Sequence, residues 1–153
     1  MKICHLIDVP QAVPVLAAWF VEEWRPYYGP DGPGDAEDDL RACMRKDALP
    51  ICLVALDDQG DVLGTAALKH VSVGSDVADG PWLAAFLVGQ AHRDRGVGTA
   101  LVGAIEDAAR DLGFDSVYTS TDGAGGIVER CGWRLVGDTQ SLRGEVGVYC
   151  KTL

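Results

Sequence analysis

Two arginines and two glycines at close spacing are the residues of this sequence best suited to bind a charged ligand. Arg93, Arg95, Gly96 and Gly98 form the pattern R-x-R-G-x-G between an apolar run and a long periodic segment. A strand that leads through a glycine-rich turn into a helix can hold phosphate, because the first helical amides have no internal partner and the helix dipole is positive there. The pattern predicts an anion-binding turn; the alternative is a plain connector with surface arginines.

Two common phosphate-binding motifs do not fit this turn. The dinucleotide-binding pattern G-x-G-x-x-G would need a glycine where Leu101 stands. A P-loop would need Gly-Lys followed by Ser or Thr at the required spacing, and the sequence lacks that triplet. The turn therefore points away from both of these nucleotide-binding classes.

The segments on either side of the turn predict a strand and a helix. The run Trp82–Val88 is continuously apolar, as in a central strand that is buried on both faces. The segment after the glycines has helical periodicity and ends at Gly113, a typical C-terminal stop. Its predicted buried face consists of Leu101, Ile105, Ala108 and Leu112.

The remaining segments predict a single α+β domain over residues 1–153 with a central mixed sheet. No repeat, low-complexity tract or linker divides the chain. The predicted order is β-α-α-β-β-β-α-β-α-β-β. The other strands are predicted at residues 2–7, 51–56, 62–73, 116–121, 133–137 and 146–153. The other helices are predicted from Pro10 to about Arg25-Pro26, over 36–48 and over 127–131, with a loop at 27–35.

Composition limits the classes of function. The chain has 23 acidic and 13 basic residues and a net charge of −10, which disfavours nucleic-acid binding. Acidity would suit a cationic substrate, but it also keeps a protein soluble, and we favour the second explanation.

The cysteines and histidines predict no disulfide framework and no metal site. The number of cysteines is odd, no two form C-x-x-C, and His5, His70 and His92 are far apart. The longest apolar run, Ala12–Val21, contains Pro14 and is too short to cross a bilayer, and the N-terminus does not read as a signal peptide. We expect a soluble cytoplasmic protein that binds neither nucleic acid nor membrane.

The stretch LVGQAHRDRGVGTAL resembles the acyl-CoA-binding motif of GNAT-type (GCN5-related) N-acetyltransferases. In that motif a strand ending in valine is followed by Q/R-x-x-G-x-G/A at the start of a helix, as Val88, Arg93, Gly96 and Gly98 are here. Downstream, ERCGW is similar to the family's Y-E-x-x-G-F. Together the two motifs cover roughly residues 82–137, and the predicted order of elements is the one that the family shows.

The resemblance implies an acyl-CoA N-acyltransferase fold and acetyl-CoA as co-substrate, with no metal. The backbone of Phe86, Leu87 and Val88 would pair with the pantetheine arm where two central strands separate. The CoA diphosphate would be held by the turn and first helical residues Arg93, Arg95, Gly96, Val97, Gly98 and Thr99. Glycine at 96 and 98 lets the backbone approach closely. Many family members pair as dimers, so a homodimer is compatible with the resemblance.

Two positions depart from the family pattern. Thr121 stands where the family often has an asparagine that reaches the cofactor arm, and we assign Thr121 to the cofactor site. Val128 stands where a tyrosine commonly protonates the departing thiolate, and valine has no proton to give. A thiol has a pKa near 8.5, so a dedicated acid brings a modest gain near neutral pH, and water or another group can replace it.

The catalytic groups are predicted less sharply than the cofactor site. An amine attacks a thioester as the neutral base, so some group must accept its proton. Glu22, Glu23 and Asp79 are candidate bases, with Tyr118 as a replacement acid. The alternative is that each carboxylate is a solvated surface residue and that Tyr118 only packs in the core. His70 or a water relay is an alternative base, and Tyr149, Tyr27 and Tyr28 are alternative acids. Asp122 and Glu129 could contact a cationic acceptor, and Cys131 is predicted to be a buried helix residue rather than a nucleophile.

The predicted acceptor is a primary amine of a small molecule or a peptide N-terminus. Aromatic residues could wall its pocket, namely Trp19, Trp24, Tyr27, Tyr28 and Trp82. The helical spacing of Trp19 and Trp24 favours core packing instead. Direct acetyl transfer in a ternary complex is the predicted reaction. A catalytically silent acyl-CoA-binding, sensor or partner-binding module, suggested by Val128, is the alternative.

Overall fold

Seven strands and five α-helices make up the chain, and a computed structural model describes residues 1–153. The strands are β1 (Lys2–His5), β2 (Ile51–Leu56), β3 (Val62–Lys69), β4 (Trp82–Val88), β5 (Ser116–Thr121), β6 (Arg134–Ser141) and β7 (Gly144–Thr152). The helices are α1 (Ala12–Glu23), α2 (Arg25–Tyr28), α3 (Ala36–Ala42), α4 (Val97–Asp111) and α5 (Gly125–Arg130). The predicted order of strands and main helices is confirmed, with the one-turn helix α2 added.

All seven strands belong to one mixed sheet in the order β1-β2-β3-β4-β5-β7-β6. Every neighbouring pair is antiparallel except β4 and β5, which run parallel. A parallel pair needs a crossover connection, and α4 supplies it. The predicted α+β class with a central mixed sheet is confirmed.

Helices cover both faces of the sheet and bury two separate cores. On one face the predicted α4 stripe is largely correct, since Leu101 and Ile105 are fully buried, although Ala109 rather than Ala108 is the fully buried alanine. On the other face α1 buries Leu16 and Phe20 in a second cluster with residues of α3 and β2. The central strands are therefore covered by helices on both faces.

Several predicted boundaries were wrong, and strand pairing explains one of the larger differences. The helix predicted over 36–48 ends at Ala42, and in the segment that follows it Lys46 pairs with Asp8 at 2.7 Å. The strand predicted over 62–73 ends at Lys69, because its partner β4 begins opposite that residue at Trp82. The first helix ends at Glu23, and Pro26 lies in the first turn of α2, where a missing amide is tolerated.

The parallel pair β4 and β5 separates soon after it starts. Only two residue pairs join the strands, Trp82 with Tyr118 and Leu83 with Thr119. The hydroxyl of Thr119 donates to the carbonyl oxygen of Leu83 at 2.8 Å. Beyond this point β4 is half-buried at Ala84–Phe86, so the prediction of burial on both faces was wrong for the middle of the strand.

None of the helices has both the length and the apolar character that a membrane crossing needs.

Replacing Thr119 with valine tests the last contact before the strands separate. Thr119→Val keeps the shape of the side chain but removes its hydrogen bond, and the free energy of unfolding should fall by about 1–3 kcal/mol. Chemical denaturation measures this loss, with Thr152→Val, at an exposed position on the same sheet, as control. Equal stability of the two variants would contradict the importance of this contact.

Candidate functional site

A cleft of about 890 Å³ opens where β4 and β5 separate. Its glycine-loop side comprises His92, Arg93, Asp94, Gly96, Gly98, Thr99, the segment Thr119–Ala124, Ile127 and Arg130. Its hairpin side, named for the β6–β7 turn, comprises Glu23, Trp24, Pro26, Tyr27, Tyr28, Asp39, Lys69, Val71, Ser72, Val73, Ser141, Leu142 and Arg143. Strand β4 contributes every residue from Leu83 to Val88 between the two sides. A volume of this size suits a small-molecule site.

The glycine-loop side presents the uncapped N-terminus of α4. Gly96 precedes the helix with φ +81°, a left-handed conformation that favours glycine, and no side chain caps the helix. The first intrahelical bond at this end runs from the Ala100 amide to the Gly96 carbonyl at 3.0 Å. The amides of Val97, Gly98 and Thr99 therefore remain available to an anion at the positive end of the dipole.

Gly98 lies where the first turn of α4 meets the floor of the cleft. A Cβ placed on Gly98 would lie 3.2 Å from Ile127 Cδ1 and 3.3 Å from Phe86 Cζ. A larger side chain would have to displace both neighbours. By contrast, a Cβ on Gly103 in the same helix would meet nothing within 4 Å.

The two arginines of the turn differ in their placement. Arg93 Nε donates to the carbonyl oxygen of Val88 at 3.2 Å, which folds the side chain back over the end of β4. Arg95 is exposed and its residue is not among those that line the cleft. The structure therefore brings Arg93 into the cleft and leaves the Arg95 side chain in solvent.

Strand β4 bends within the cleft. Ala85 has φ +49°, and the register of β3 against β4 shifts at this point, between Thr65 and Ala67 on β3. A bulge of this kind re-aims the backbone groups that follow it. Phe86, Leu87 and Val88 come directly after the bulge and line the cleft, with no strand paired on the β5 side.

Thr121 and Val128 both serve local structure at the end of β5 and in α5. The hydroxyl oxygen of Thr121 accepts from the amides of Gly123 at 3.2 Å and Ala124 at 2.8 Å, so it fixes the turn into α5 while it lines the cleft. Val128 is fully buried in the core beneath the helix. No hydroxyl group replaces the expected tyrosine at position 128.

Glu23 lies between two arginines from distant parts of the chain. Its carboxylate is 3.9 Å from Arg93 Nη2 and 3.8 Å from Arg143 Nη2. Arg143 also donates to the main-chain oxygen of Glu23. These contacts join the end of α1 to the glycine turn and to the β6–β7 turn, so the Glu23 carboxylate is engaged in holding the two sides of the cleft together.

The other three predicted catalytic residues are not among the residues that line the cleft. Glu22 and Asp79 are exposed elsewhere on the surface. Tyr118 packs against Trp82 with ring centroids 5.6 Å apart, and burial and the neighbouring Cys150 raise its pKa. The structure brings Glu23 alone of the four together with the cofactor-type residues.

Three of the five predicted wall aromatics line the hairpin side. Trp24, Tyr27 and Tyr28 contribute to it, whereas Trp19 lies under Gly89 and Trp82 is fully buried. The Tyr28 hydroxyl donates to Asp39 Oδ2 at 2.7 Å. Burial, and then the hydrogen bond to Asp39, raise the pKa of Tyr28 well above its usual value, so this phenol stays protonated near neutral pH.

The cysteines and the potential metal ligands form no reactive group in the described chain. Burial raises the pKa of the Cys131 thiol, and of Cys52 to about 12, so neither is a thiolate near neutral pH. No three His, Cys, Asp or Glu side chains are grouped as a metal site.

Several cleft residues have no signal in the sequence that would have found them. Arg143 reaches Glu23 across 120 positions of the chain, and Lys69 and Asp39 come from separate elements. A polar residue in the turn of a predicted hairpin gives no indication of where that turn will pack. Val71 and Val73 were predicted as strand residues, whereas the structure places them beyond the end of β3 in the cleft lining.

The sequence and the fold both have recognisable relatives. The model of the family described as "Acetyltransferase (GNAT) family" matches residues 16–133. YhbS of Escherichia coli (strain K12), named as an uncharacterized N-acetyltransferase, is 32% identical over 102 residues. That alignment covers 66% of this chain and 60% of YhbS, so this chain spans less than two thirds of its relative.

Solved structures share the fold over almost the whole chain. An aminoglycoside 6'-N-acetyltransferase complexed with coenzyme A superposes with a TM-score of 0.78 at 17% identity, covering 99% of this chain and 97% of that one. A GCN5-related N-acetyltransferase from Kribbella flavida superposes with a TM-score of 0.76 at 22% identity, with the same coverage. These similarities confirm the predicted fold class.

The contacts of Glu23 predict a protease-sensitive change in the β6–β7 turn. Glu23→Gln removes the charge that faces Arg93 and Arg143, and exposed ion pairs contribute up to about 1 kcal/mol each, so trypsin should cleave after Arg143 about two to five times faster. Glu22→Gln is the matched control, since it removes a neighbouring exposed carboxylate that has no ion pair. Identical cleavage rates in the two variants would contradict the proposed link between α1 and the turn.

Proposed function

This chain belongs to the acetyltransferase (GNAT) family, as its sequence predicted, and we propose that it moves an acetyl group from acetyl-CoA to a primary amine. The acceptor is a small molecule or a peptide N-terminus, and the transfer is direct, within a ternary complex. We further propose that residues 1–153 act as one domain and work in the cytoplasm.

One observation carries the cofactor assignment. The unpaired edge of β4 after its bulge and the uncapped amides of α4 meet in the same cleft. A linear molecule with an amide-bearing arm and a diphosphate needs a strand-like partner for the arm and a cluster of amides for the phosphates. These two needs fit coenzyme A, so we assign the arm to Phe86–Val88 and the diphosphate to the turn.

The residues of the turn then have distinct proposed roles. The main chain from Arg93 or Arg95 through Gly96, Val97, Gly98 and Thr99 surrounds the diphosphate, and Arg93 adds charge from within the cleft. The exposed Arg95 attracts the phosphates from solvent, where its contribution is about 1 kcal/mol or less. Thr121 positions the turn into α5 against the cofactor site through its two accepted amides.

The reaction needs little acid catalysis from the protein. Acetyl-CoA supplies the acetyl group as a thioester; the amine nitrogen bonds to the acetyl carbon and loses a proton, and the carbon–sulfur bond breaks. A thiolate is stable enough near neutral pH, with a thiol pKa near 8.5, to take its proton from water. Val128 is therefore compatible with turnover.

The candidate carboxylates suit positioning better than proton removal. Glu23 is held by two arginines, and Glu22 and Asp79 lie outside the cleft lining. Tyr118 is packed on Trp82, away from the cleft. We therefore assign Glu23 to orienting Arg93 and the β6–β7 turn, and the proton of the amine to water in the open cleft.

Thiol release separates this proposal from its alternative. The protein is mixed with acetyl-CoA and a panel of primary amines, and free thiol is followed spectroscopically while CoA binding is measured by isothermal titration. Amine-dependent thiol release is the expected result. Tight binding without release on any amine would favour a silent acyl-CoA-binding or sensor module, and absence of binding would contradict the CoA assignment.

Gly98 offers a direct test of the diphosphate site. Gly98→Val places methyl groups against Phe86 and Ile127 and distorts the first turn of α4, so CoA binding should weaken by about tenfold or more. Gly103→Val, on the same helix with open space around it, should bind CoA normally. Thermal unfolding verifies that both variants fold, and normal affinity in folded Gly98→Val would contradict the assignment.

A further inference from the structure

Large apolar side chains are exposed around the mouth of the cleft. Tyr27, Val71, Val73 and Leu142 are 40%, 69%, 45% and 67% exposed, and all four line the hairpin side. They come from α2, from the segment after β3 and from the β6–β7 turn, so three separate parts of the chain contribute to the lining of one cleft. We call these four residues the apolar rim. Exposed apolar groups that converge beside a cleft are typical of a binding surface.

The charges of the hairpin side cancel rather than accumulate. Its two carboxylates are Glu23 and Asp39, and its two cations are Lys69 and Arg143. Glu23 faces two arginines, and Asp39 accepts a hydrogen bond from Tyr28. Lys69 has no carboxylate within 4 Å. The lining of this side thus has no excess of negative charge. The net charge of −10 lies elsewhere, in part at Asp76, Asp138 and Glu145 of an adjoining depression that shares Ser72 and Val73 with the cleft.

We propose that the acceptor is a small monoamine whose amino group is attached to an apolar body, which rests on the apolar rim. This inference rests on the proposed acetyl transfer and names its substrate class. A polycation with several ammonium groups, such as an aminoglycoside, would meet Lys69 and Arg143, and Asp39 is the single carboxylate of this side that no cation already faces. An apolar body would instead cover Leu142 and Val71 and leave the amine to enter between β4 and β5.

Leu142 then has a role in acceptor specificity. Leu142→Ser removes the most exposed apolar side chain of the β6–β7 turn, and the KM for an apolar monoamine should rise by about tenfold with kcat nearly unchanged. Leu135→Ser is the matched control. Leu135 is 57% exposed, lies on β6, and is not among the residues that line the cleft.

Four amines provide the test: phenethylamine and hexylamine as apolar monoamines, and spermidine and kanamycin as polycations. Thiol release from acetyl-CoA gives kcat and KM for each amine with the wild type and both variants. The expected result is a higher kcat/KM for the two monoamines, a raised KM in Leu142→Ser and unchanged constants in Leu135→Ser. Preference for spermidine or kanamycin, or equal effects of the two variants, would overturn the inference and leave acetyl transfer standing.

Direct binding distinguishes a failed inference from a failed function. Isothermal titration of phenethylamine into the wild type and both variants needs no turnover. Binding that weakens in Leu142→Ser alone supports the apolar rim even if no amine releases thiol, a result that would contradict the proposed transfer. Absence of phenethylamine binding to the wild type would overturn the inference.

Discussion

The short pairing of β4 with β5 is the constraint on which the rest of the structure depends. Two residue pairs and the hydrogen bond from Thr119 to Leu83 join the strands, which then separate. Because α4 makes the crossover between them, its N-terminus opens into the gap, with Gly98 packed against Phe86. A sheet that stayed paired along its whole length would close the cleft and leave the amides of α4 facing solvent. The site is thus a consequence of topology, and the glycine turn is the local sequence that exploits it.

The charge of the cleft lining differs from the net charge of the chain. The chain carries a net charge of −10, yet the cleft is lined by four carboxylates, of Glu23, Asp39, Asp94 and Asp122, and four cations, of Lys69, Arg93, Arg130 and Arg143. The net charge therefore reflects residues outside the cleft and does not indicate the charge of the ligand. Inside the cleft, Glu23 joins the glycine turn to the β6–β7 turn through Arg93 and Arg143. An anion bound at the glycine turn would compete with Glu23 for Arg93. Binding on one side of the cleft would therefore alter the ion pairs that reach the other side.

Local signals in the sequence predicted what depends on neighbouring residues. The apolar run 82–88, the strand 116–121 and the helix opened by Gly96 are where the periodicity placed them, because each is specified by burial pattern or backbone conformation within a few positions. The helix predicted over 36–48 and the strand predicted over 62–73 were too long. The strand ends where its partner β4 begins, at Trp82, and the local pattern does not record where that partner starts. The hairpin side of the cleft escaped prediction for the same reason. Leu142 and Arg143 lie in a turn that contacts Glu23, although Arg143 and Glu23 are 120 positions apart in the sequence. No local sequence pattern indicates that contact.

Amide hydrogen exchange with and without coenzyme A tests the cofactor site most directly, since it reports on the backbone groups proposed to hold the cofactor. Saturating coenzyme A should slow exchange at the amides of Val97–Thr99 and along Phe86–Val88, with little change in β1 and β2 at the far edge of the sheet. Gly96 and the unpaired edge of β4 would then be the cofactor site. Unchanged exchange in both segments while coenzyme A is bound, or protection confined to another part of the chain, would contradict it.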